Sequence, residues 1–393
     1  MASPSCPVCG HSSKVFLIRR DVPVQQNFLF DNQNIARAAC RGDLEMAACG
    51  QCGFVHNAAF DQGKVPYGSA YDNAQTFSTS FVEYLKELAR YVVEQIPPGG
   101  NNIVEVGCGN GYFIRLLVQN DSSSRGYGFD PSYRGPSVGE GGRLRFESRY
   151  YDRSCAPITA DVVICRHVIE HVKQPLELLT AIRDALVNSP NARIFLETPC
   201  VEWIFRNRVV WDFFYEHCSL FSAASLTTAL EKTGFRAEKI RHVFGGQYLW
   251  AEGVVASPVG EAVRNPGALP TAARQYRAAE RQVISDWTAK VRTLSEMGKV
   301  AVWGAGAKGV TFVNLVDPGR QWLDCVVDLN PNKQGHFVAG TGHAIVGYRE
   351  LAPRGVAAAI LMNPNYRGEN RRLLEEAGIT LELVEPGGEF AVL

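Results

Sequence analysis

The sequence lacks an excess of charge of either sign. Its 393 residues include 40 Lys and Arg and 40 Asp and Glu, so the formal net charge is zero. Nucleic acids and anionic membrane surfaces are bound through an excess of positive charge, and this balance therefore argues against both kinds of partner. With 46% apolar and 20% charged residues, the composition is typical of a globular protein. The length of 393 residues predicts two or three domains.

The sequence also lacks long apolar runs. No uninterrupted run approaches the roughly 20 residues that a transmembrane helix needs. The first residues, MASPSCPVCGHSSK, have no basic stretch followed by an apolar one and do not predict a secretory signal. We therefore expect a cytoplasmic protein. Because cytosolic thiols stay reduced, the eleven cysteines are not expected to form a disulfide framework.

The chain divides by composition into three segments, which we expect to be separate modules: 1–65, 66–257 and 258–393. In the second, apolar residues at three- and four-residue spacing predict an amphipathic helix over 77–95. Short apolar runs separated by helix-length stretches then predict βαβ units around a parallel sheet. These runs are IVEV (103–106), YGFD (127–130), DVVIC (161–165) and RIFLET (193–198).

Two further patterns complete the organisation. Residues 237–244 and 248–256 are strand-like and are joined by only three residues, too few for a crossover helix, so we expect an antiparallel pair. After a Pro- and Gly-bearing linker, a long polar helix is predicted over about 272–297. A second α/β unit is predicted from VAVWG (300–304), CVVDL (325–329), AAAILM (357–362) and LELV (381–384).

Four of the cysteines form two Cys-x-x-Cys pairs, with 39 residues between the pairs: Cys6, Cys9, Cys49 and Cys52. Two such pairs supply four thiolates to one ion and leave no open coordination position, which is typical of a structural zinc site. A redox Cys-x-x-Cys would be expected to lead a helix in a βαβ unit, and neither pair does so. Two unrelated pairs are the other alternative. Cys40, which has no partner pair, is interpreted as a small buried residue.

A predicted strand enters a turn with three alternating glycines, Gly107, Gly109 and Gly111. The glycines let the backbone approach a ligand, and the next helix presents its N-terminus there. Glu105 precedes the first glycine by two residues. This Glu-x-Gly-x-Gly-x-Gly form resembles the motif of S-adenosylmethionine (SAM) methyltransferases, where a carboxylate suits the cationic amino-acid end of SAM. Asp130, 19 residues after Gly111, is expected to bind the ribose hydroxyls.

An NAD-binding fold also has a glycine-rich turn and an acidic residue at the end of the next strand. These features alone are therefore also consistent with a dehydrogenase. The segment DVVICRHVIEHV (161–172) resembles the methyltransferase segment at the end of the fourth strand, and the antiparallel pair matches the seven-stranded sheet of that family. We therefore interpret 66–257 as a class I, Rossmann-like SAM methyltransferase domain. The further cofactor contacts predicted are Cys108, Tyr112, Pro131, Arg166 and His167.

The whole chain resembles the zinc-containing deoxysugar C-methyltransferases, which methylate a carbon beside a keto group of a nucleotide-linked sugar. Besides the cysteine pairs, its most specific stretches are GAGAKG (304–309), VVDLNPNKQG (326–335) and FYEHCSLFS (214–222). The resemblance implies an α/β chain with an N-terminal zinc module, the SAM domain and a C-terminal Rossmann-like domain. It implies SAM and structural Zn2+ as cofactors and a small-molecule acceptor, with no nucleic acid and no membrane as partner. A homo-oligomer is left open.

The resemblance also assigns catalytic groups. Family chemistry removes a proton beside the ketone, and the enolate so formed attacks the SAM methyl group. His217 is then the general base and Glu216 orients it, since a neutral imidazole suits that role at cytoplasmic pH. His171 matches a family histidine near the sulfonium, and Tyr71 (or Tyr67) matches a family tyrosine. The alternatives are a helix-start ion pair for 216–217 and a pattern common to many methyltransferases for His171.

Three residues are predicted to bind the acceptor: Lys308, Tyr215 and Gln247. Lys308 lies in a Gly-x-Gly-x-x-Gly turn with Asp328 at the end of the next strand, and taken alone this pattern predicts NAD binding. The resemblance instead implies a domain that holds the nucleotide part of the substrate, with Lys308 free to meet phosphate. Tyr215 stands where the family has a histidine, and 244–249 and 361–372 also depart from the family pattern.

We therefore predict a SAM-dependent methyltransferase that C-methylates a nucleotide-linked keto sugar. The departures concern the sugar more than the methyl transfer. Two alternatives stay open: an O- or N-methyltransferase acting on another small polar metabolite, and a C-terminal domain that binds NAD or has a regulatory role.

Overall fold

The computed structural model describes residues 3–65, 74–260 and 263–385. Its N-terminal part is an antiparallel sheet that carries both cysteine pairs. The elements are β1 (Ser13–Pro23), α1 (Gln33–Arg37), β2 (Arg41–Cys49) and β3 (Val55–Asn57). Ser13 pairs with Cys49, so the turn before β1 and the turn after β2 lie at the same end of the sheet.

The middle part is an α/β sheet whose five central strands are parallel. Its elements are α2 (Thr79–Glu94), β4 (Asn102–Val106), α3 (Tyr112–Asn120), β5 (Arg125–Phe129), β6 (Val138–Gly139), β7 (Leu144–Glu147), β8 (Val162–Arg166), α4 (Pro175–Ala185), β9 (Arg193–Pro199), α5 (Val201–Asn207), β10 (Ser219–Leu220), α6 (Ala223–Lys232), β11 (Phe235–Val243) and β12 (Tyr248–Val255). The strand order is β11-β12-β9-β8-β4-β5-β7-β6, and β10 joins the N-terminal sheet instead, beside β3.

The structure contains the strands that the sequence analysis predicts for this sheet. The four predicted parallel strands are present, and β11 and β12 pair antiparallel as expected. The described part of the sheet has eight strands instead of the predicted seven, because the two-residue β6 adds an edge. The sequence did not predict β7, since only alternate residues of LRFE are buried and no continuous apolar run results.

Helix α2 shows why the predicted amphipathic pattern folds as it does. It begins after Ser78, whose Oγ accepts a hydrogen bond from the backbone N–H of Phe81. Its apolar positions lie on one stripe that is buried against the sheet, namely Phe81, Leu85, Leu88, Ala89 and Val92.

The C-terminal part begins with a long helix and continues as a parallel sheet. Its elements are α7 (Leu269–Met297), β13 (Lys299–Trp303), α8 (Ala307–Val316), β14 (Leu323–Val327), β15 (Ala344–Val346), α9 (Leu351–Arg354), β16 (Val356–Leu361), α10 (Arg367–Glu376) and β17 (Glu382–Val384). The order β15-β14-β13-β16-β17 places β13 at the centre. In the described ranges, no helix combines the length and the apolar character needed to span a membrane.

Arg19 of β1 joins the three parts. Its buried guanidinium forms an ion pair with Glu280 of α7 at 2.7 Å and donates hydrogen bonds to the carbonyl oxygens of Phe213 and Val210 at 2.8 and 2.6 Å. The segment between α5 and α6 is thereby held between the N-terminal sheet and α7. This segment carries His217.

Candidate active site

The turn after β4 has the backbone that the three glycines predict. Gly107, Gly109 and Gly111 have φ angles of 72°, 54° and 76°, in the left-handed region that favours glycine. A Cβ atom at Gly107 would lie 2.2 Å from Cγ2 of Val168, whereas one at Gly109 would have no atom within 4 Å. The turn is therefore packed against the protein at one glycine and faces open space at the next, as a ligand-binding turn requires.

Asp130 lies beside this turn. One carboxylate oxygen accepts a hydrogen bond from the N–H of Gly109 at 2.9 Å, and the other accepts from the N–H of Ser132 at 2.7 Å. Tyr112 begins α3 and is partly exposed, and Pro131 is exposed next to Asp130. Cys108 is buried in an apolar cluster that includes Phe146.

Glu105 has a different environment from the one that the sequence predicts. It is only 3% exposed, and its carboxylate accepts a hydrogen bond from the N–H of Ile114 in α3 at 3.1 Å. Burial raises the pKa of Glu105 to about 8. In this structure the side chain fastens α3 to β4, and it does not present an exposed carboxylate to the amino-acid end of SAM.

Arg166 is also committed to protein groups. Its side chain is 9% exposed, forms an ion pair with Glu197 at 2.6 Å and lies over the ring of Phe113, with the guanidinium carbon 4.3 Å from the ring centroid. The cofactor contact predicted for Arg166 stays a prediction, and the side chain is bound to protein groups in this structure. It neutralises a buried carboxylate of β9.

A cleft lies between the carboxyl edges of the two parallel sheets, the place where α/β folds bind their ligands. One wall lies at the ends of β8 and β9 and the start of β12, and includes His167, Glu170 and Tyr248. The other wall follows β13, β14 and β16 and includes Trp303, the turn 304–309 and Asn363. The cleft is thus built by two domains, and neither sheet alone encloses it.

Two histidines meet in this cleft. The rings of His171 and His217 are 4.8 Å apart between centroids and nearly perpendicular, at 84°. The ring of Phe214 lies 4.0 Å from that of His217. Burial, and then the nearby His171, His167 and Lys308, hold the pKa of His217 well below its ordinary value. This shift favours the unprotonated form of His217, which is the form of an imidazole that can act as a base.

The two residues that precede His217, Tyr215 and Glu216, contact the N-terminal module. Glu216 is 1% exposed and accepts a hydrogen bond from the backbone N–H of Gln26 at 2.7 Å. Tyr215 is fully buried, and its hydroxyl accepts from the N–H of Asp61 at 2.9 Å. The prediction that Tyr215 binds the acceptor is therefore corrected, because its ring packs in the N-terminal module. Tyr71 and Tyr67 lie outside the described residues.

Lys308 lies in the cleft but has partners of its own. Its Nζ atom is 2.8 Å from a carboxylate oxygen of Asp212 and 3.1 Å from Oε1 of Gln247. Burial raises the pKa of Asp212, and Lys308 opposes that shift. Nε2 of Gln247 donates to Oδ1 of Asn363 at 2.8 Å. The ammonium group of Lys308, which the family resemblance implies is free to bind phosphate, is thus paired in this structure.

This network joins two of the stretches in which the chain departs from the family pattern. Besides the Gln247–Asn363 contact, Nδ2 of Asn365 donates to the carbonyl oxygen of Phe244 at 2.9 Å. Stretches that are more than a hundred residues apart in the chain therefore meet across the cleft. Sequence reasoning identified both departures but not Asp212, whose only signal was an acidic residue within an aromatic run.

The second glycine-rich turn repeats the first. A Cβ atom at Gly309 would lie 1.8 Å from the carbonyl oxygen of Gly304, so only glycine allows α8 to approach the end of β13. Asp328 accepts a hydrogen bond from the N–H of Ala305 at 2.9 Å, as Asp130 does from Gly109. The N-terminus of α8 faces the cleft, and such a terminus suits an anionic group.

The four paired cysteines converge at the end of the N-terminal sheet. The Sγ atoms of Cys6 and Cys52 are 3.6 Å apart, those of Cys9 and Cys49 are 3.4 Å apart, and all four lie within 4.8 Å of one another. In a tetrahedral site with Zn–S bonds of about 2.3 Å, sulfur atoms are about 3.8 Å apart. The arrangement therefore fits a zinc ion. Cys40 is exposed, which corrects its interpretation as a buried residue.

Comparisons with known proteins match both α/β parts. Residues 79–240 match a methyltransferase domain, and residues 269–390 match the C-methyltransferase C-terminal domain. The C-methyltransferase NovU of Streptomyces niveus is 25% identical over 98% of this chain and 94% of its own length.

Two other matches are partial. A mitochondrial ubiquinone biosynthesis O-methyltransferase of Schizosaccharomyces pombe is 29% identical over 25% of this chain and 38% of its own length. A SAM-dependent methyltransferase structure from Aquifex aeolicus is 14% identical, covers 46% of this chain and 96% of its own, and has a TM-score of 0.34, which carries no functional weight.

The chain is a SAM-dependent methyltransferase, and its C-terminal part matches the C-terminal domain of C-methyltransferases.

Proposed function

We propose that this protein methylates a carbon beside the keto group of a nucleotide-linked sugar, with SAM as methyl donor and His217 as general base. The observation that carries the proposal is the position of His217, whose imidazole lies beside that of His171 in a cleft shared by the methyltransferase sheet and a second Rossmann-like sheet. A carbon acid, like a hydroxyl, needs a base, whereas an amine nucleophile does not, so a base in this position is consistent with C-methylation.

The proposed reaction has two steps. His217 takes a proton from the carbon next to the ketone, and the C–H electron pair becomes the enolate. The enolate carbon then forms a bond to the methyl group of SAM while the S–C bond breaks, and its electrons stay on sulfur. His217 afterwards releases its proton to solvent. SAM supplies the electrophilic methyl group, and the chain supplies the base and the cavity.

The cofactor residues that we propose are those around the first glycine turn. Gly109 faces open space, and Asp130 lies at the end of β5, where a carboxylate can accept hydrogen bonds from ribose hydroxyls. His167, which follows β8 and lines the cleft, lies on the side toward the acceptor. Glu105 and Arg166, which the sequence also predicts as cofactor contacts, are bound to Ile114 and Glu197 in this structure.

The second glycine turn is the proposed site for the nucleotide part of the acceptor. The turn 304–309 and the N-terminus of α8 line the cleft, and both features suit a phosphate group. Lys308 can serve the phosphate if it exchanges Asp212 for the ligand. Burial raises the pKa of Asp212, so protonation of its carboxylate would lower the cost of this exchange. Gln247, which accepts a hydrogen bond from Lys308, lines the same cleft.

We further propose that Cys6, Cys9, Cys49 and Cys52 hold one structural Zn2+. The four Sγ atoms lie at distances that tetrahedral coordination needs. Together they fill all four coordination positions, so none is left for a water molecule. The ion would fix the end of the sheet to which β10 adds a strand, two residues after His217. Its role is therefore to hold the catalytic segment in place.

A deuterium exchange experiment tests the proposed base. UDP-, TDP- and GDP-linked 4-keto-6-deoxyhexoses are incubated with the enzyme and S-adenosylhomocysteine in D2O, and deuterium uptake next to the ketone is followed by NMR. We expect uptake with wild type and none with His217→Asn, which should also lose methyl transfer. If His217→Asn methylates an acceptor normally, the base is wrong; methylation on oxygen or nitrogen without exchange would identify the alternative enzyme class.

A further inference from the structure

We propose that Glu170, and not the adjacent Glu216, is the carboxylate that positions His217 and balances its charge when it takes up the proton. This inference rests on the proposed role of His217 as base. Glu170 is fully buried and lines the cleft, and sequence reasoning assigned it no role. A carboxylate oxygen of Glu170 and one ring nitrogen each of His171 and His217 all lie within 4.8 Å of one another.

The carboxylate of Glu170 is held in place by hydrogen-bond donors. Nδ1 of His167 lies 3.2 Å from Oε1, and Oγ1 of Thr198 donates to Oε2 at 3.2 Å. His167 has φ of 52°, a backbone conformation that non-glycine residues seldom adopt and that is concentrated at functional sites. This strained residue thus aims its imidazole at the carboxylate that faces the two other histidines.

Charge balance explains why such a carboxylate is needed. A buried imidazole that becomes an imidazolium loses hydration, and the cost falls when an anion lies close by. Among the described residues near His217, the carboxylate of Asp212 is paired with Lys308. In the part of the chain that the structure describes, the titratable groups around His217 include His167, Glu170, His171, Asp212, Glu216 and Lys308.

A carboxylate oxygen of Glu170 lies within 4.8 Å of a ring nitrogen of His217, whereas Glu216, although next to His217 in sequence, is bound to the N-terminal module. Its carboxylate accepts the hydrogen bond from Gln26, which ties the catalytic segment to the N-terminal module. Glu170 approaches from the end of β8, on the methyltransferase sheet itself. The tertiary fold thus brings to His217 a carboxylate that is 47 residues distant in the chain.

The test compares Glu170→Gln with Glu216→Gln in the exchange assay, with the TDP-linked 4-keto-6-deoxyhexose as probe and S-adenosylhomocysteine bound. Glutamine keeps the size of Glu170 and an acceptor for Thr198 but removes the charge. We expect the plateau exchange rate to fall about 10- to 100-fold, as loss of one charge at about 5 Å predicts. The acidic limb of the pH–rate profile should move to lower pH, because His217 becomes a weaker base.

A merely structural role would not move that limb. Glu231→Gln is the matched control, since Glu231 is also buried and bound to a partner, Arg264, but lies on α6 outside the cleft. It should leave the exchange profile unchanged, and affinity for S-adenosylhomocysteine should stay within about twofold in all three variants.

An unchanged profile for Glu170→Gln, or a shifted limb for Glu216→Gln alone, overturns the inference. Exchange that depends on added Mn2+ would overturn it as well, because Glu170 would then be a metal ligand. If instead His217→Asn still exchanges, the proposed base itself fails, and the two failures are thus distinguishable.

Discussion

Arg19 offers the sharpest test of how the three parts of the chain are held together. We predict that Arg19→Met destabilises the protein and lowers methyl transfer, although Arg19 is not in the cleft. The substitution keeps an unbranched apolar stem but removes the guanidinium. It leaves the carboxylate of Glu280 and the carbonyl oxygens of Val210 and Phe213 without their donor.

The magnitude follows from burial. The side chains of Arg19 and Glu280 are only 7% and 11% exposed. Removing one partner of such a pair costs about 3–5 kcal/mol of unfolding free energy, because the remaining charge is buried and unpaired. Because Val210 and Phe213 precede His217 by seven and four residues, loosening them should also displace the base.

Urea unfolding followed by tryptophan fluorescence, together with the exchange assay, measures both effects. Arg20→Met is the control on the same strand, since Arg20 is 53% exposed and its ion pairs with Asp43 and Glu45 lie at the surface; its urea midpoint should hardly change. A double-mutant cycle with Glu280→Gln isolates the pair. Losses that are additive within about 0.5 kcal/mol, or a midpoint for Arg19→Met equal to that of the control, would refute the reasoning.

Three further predictions concern the site and the zinc module. Since the pKa of His217 is lowered, unfolding should release a more basic imidazole, so the free energy of unfolding should fall as pH drops below about 6.5, and His217→Asn should reduce this dependence. Cys49→Ser should lower bound zinc from one ion per chain to none by elemental analysis and should destabilise the protein; full zinc retention would contradict the four-sulfur site. Lys308→Met should raise KM for a nucleotide-linked acceptor about tenfold while the affinity for S-adenosylhomocysteine stays unchanged, and a normal KM would remove Lys308 from the acceptor site.

Features carried by consecutive residues could be predicted from the sequence. The glycine turns, the cysteine pairs and the alternation of strand and helix depend on neighbours in the chain, and the structure has them where they are expected. The sequence did not predict which protein groups single side chains contact. Glu105, Arg166 and Tyr215 have suitable positions and chemistry, yet each is turned toward a protein partner.

By itself, the sequence determined the elements, their order and the chemistry available at each turn, because local spacing sets backbone conformation and a motif is a property of one short segment. Only the tertiary structure decided which buried charges share an environment. Glu170 with His217, Asp212 with Lys308 and Arg19 with Glu280 are each distant in the chain. A buried charge must find its counter-charge in space, and which partner it finds depends on how the sheets pack.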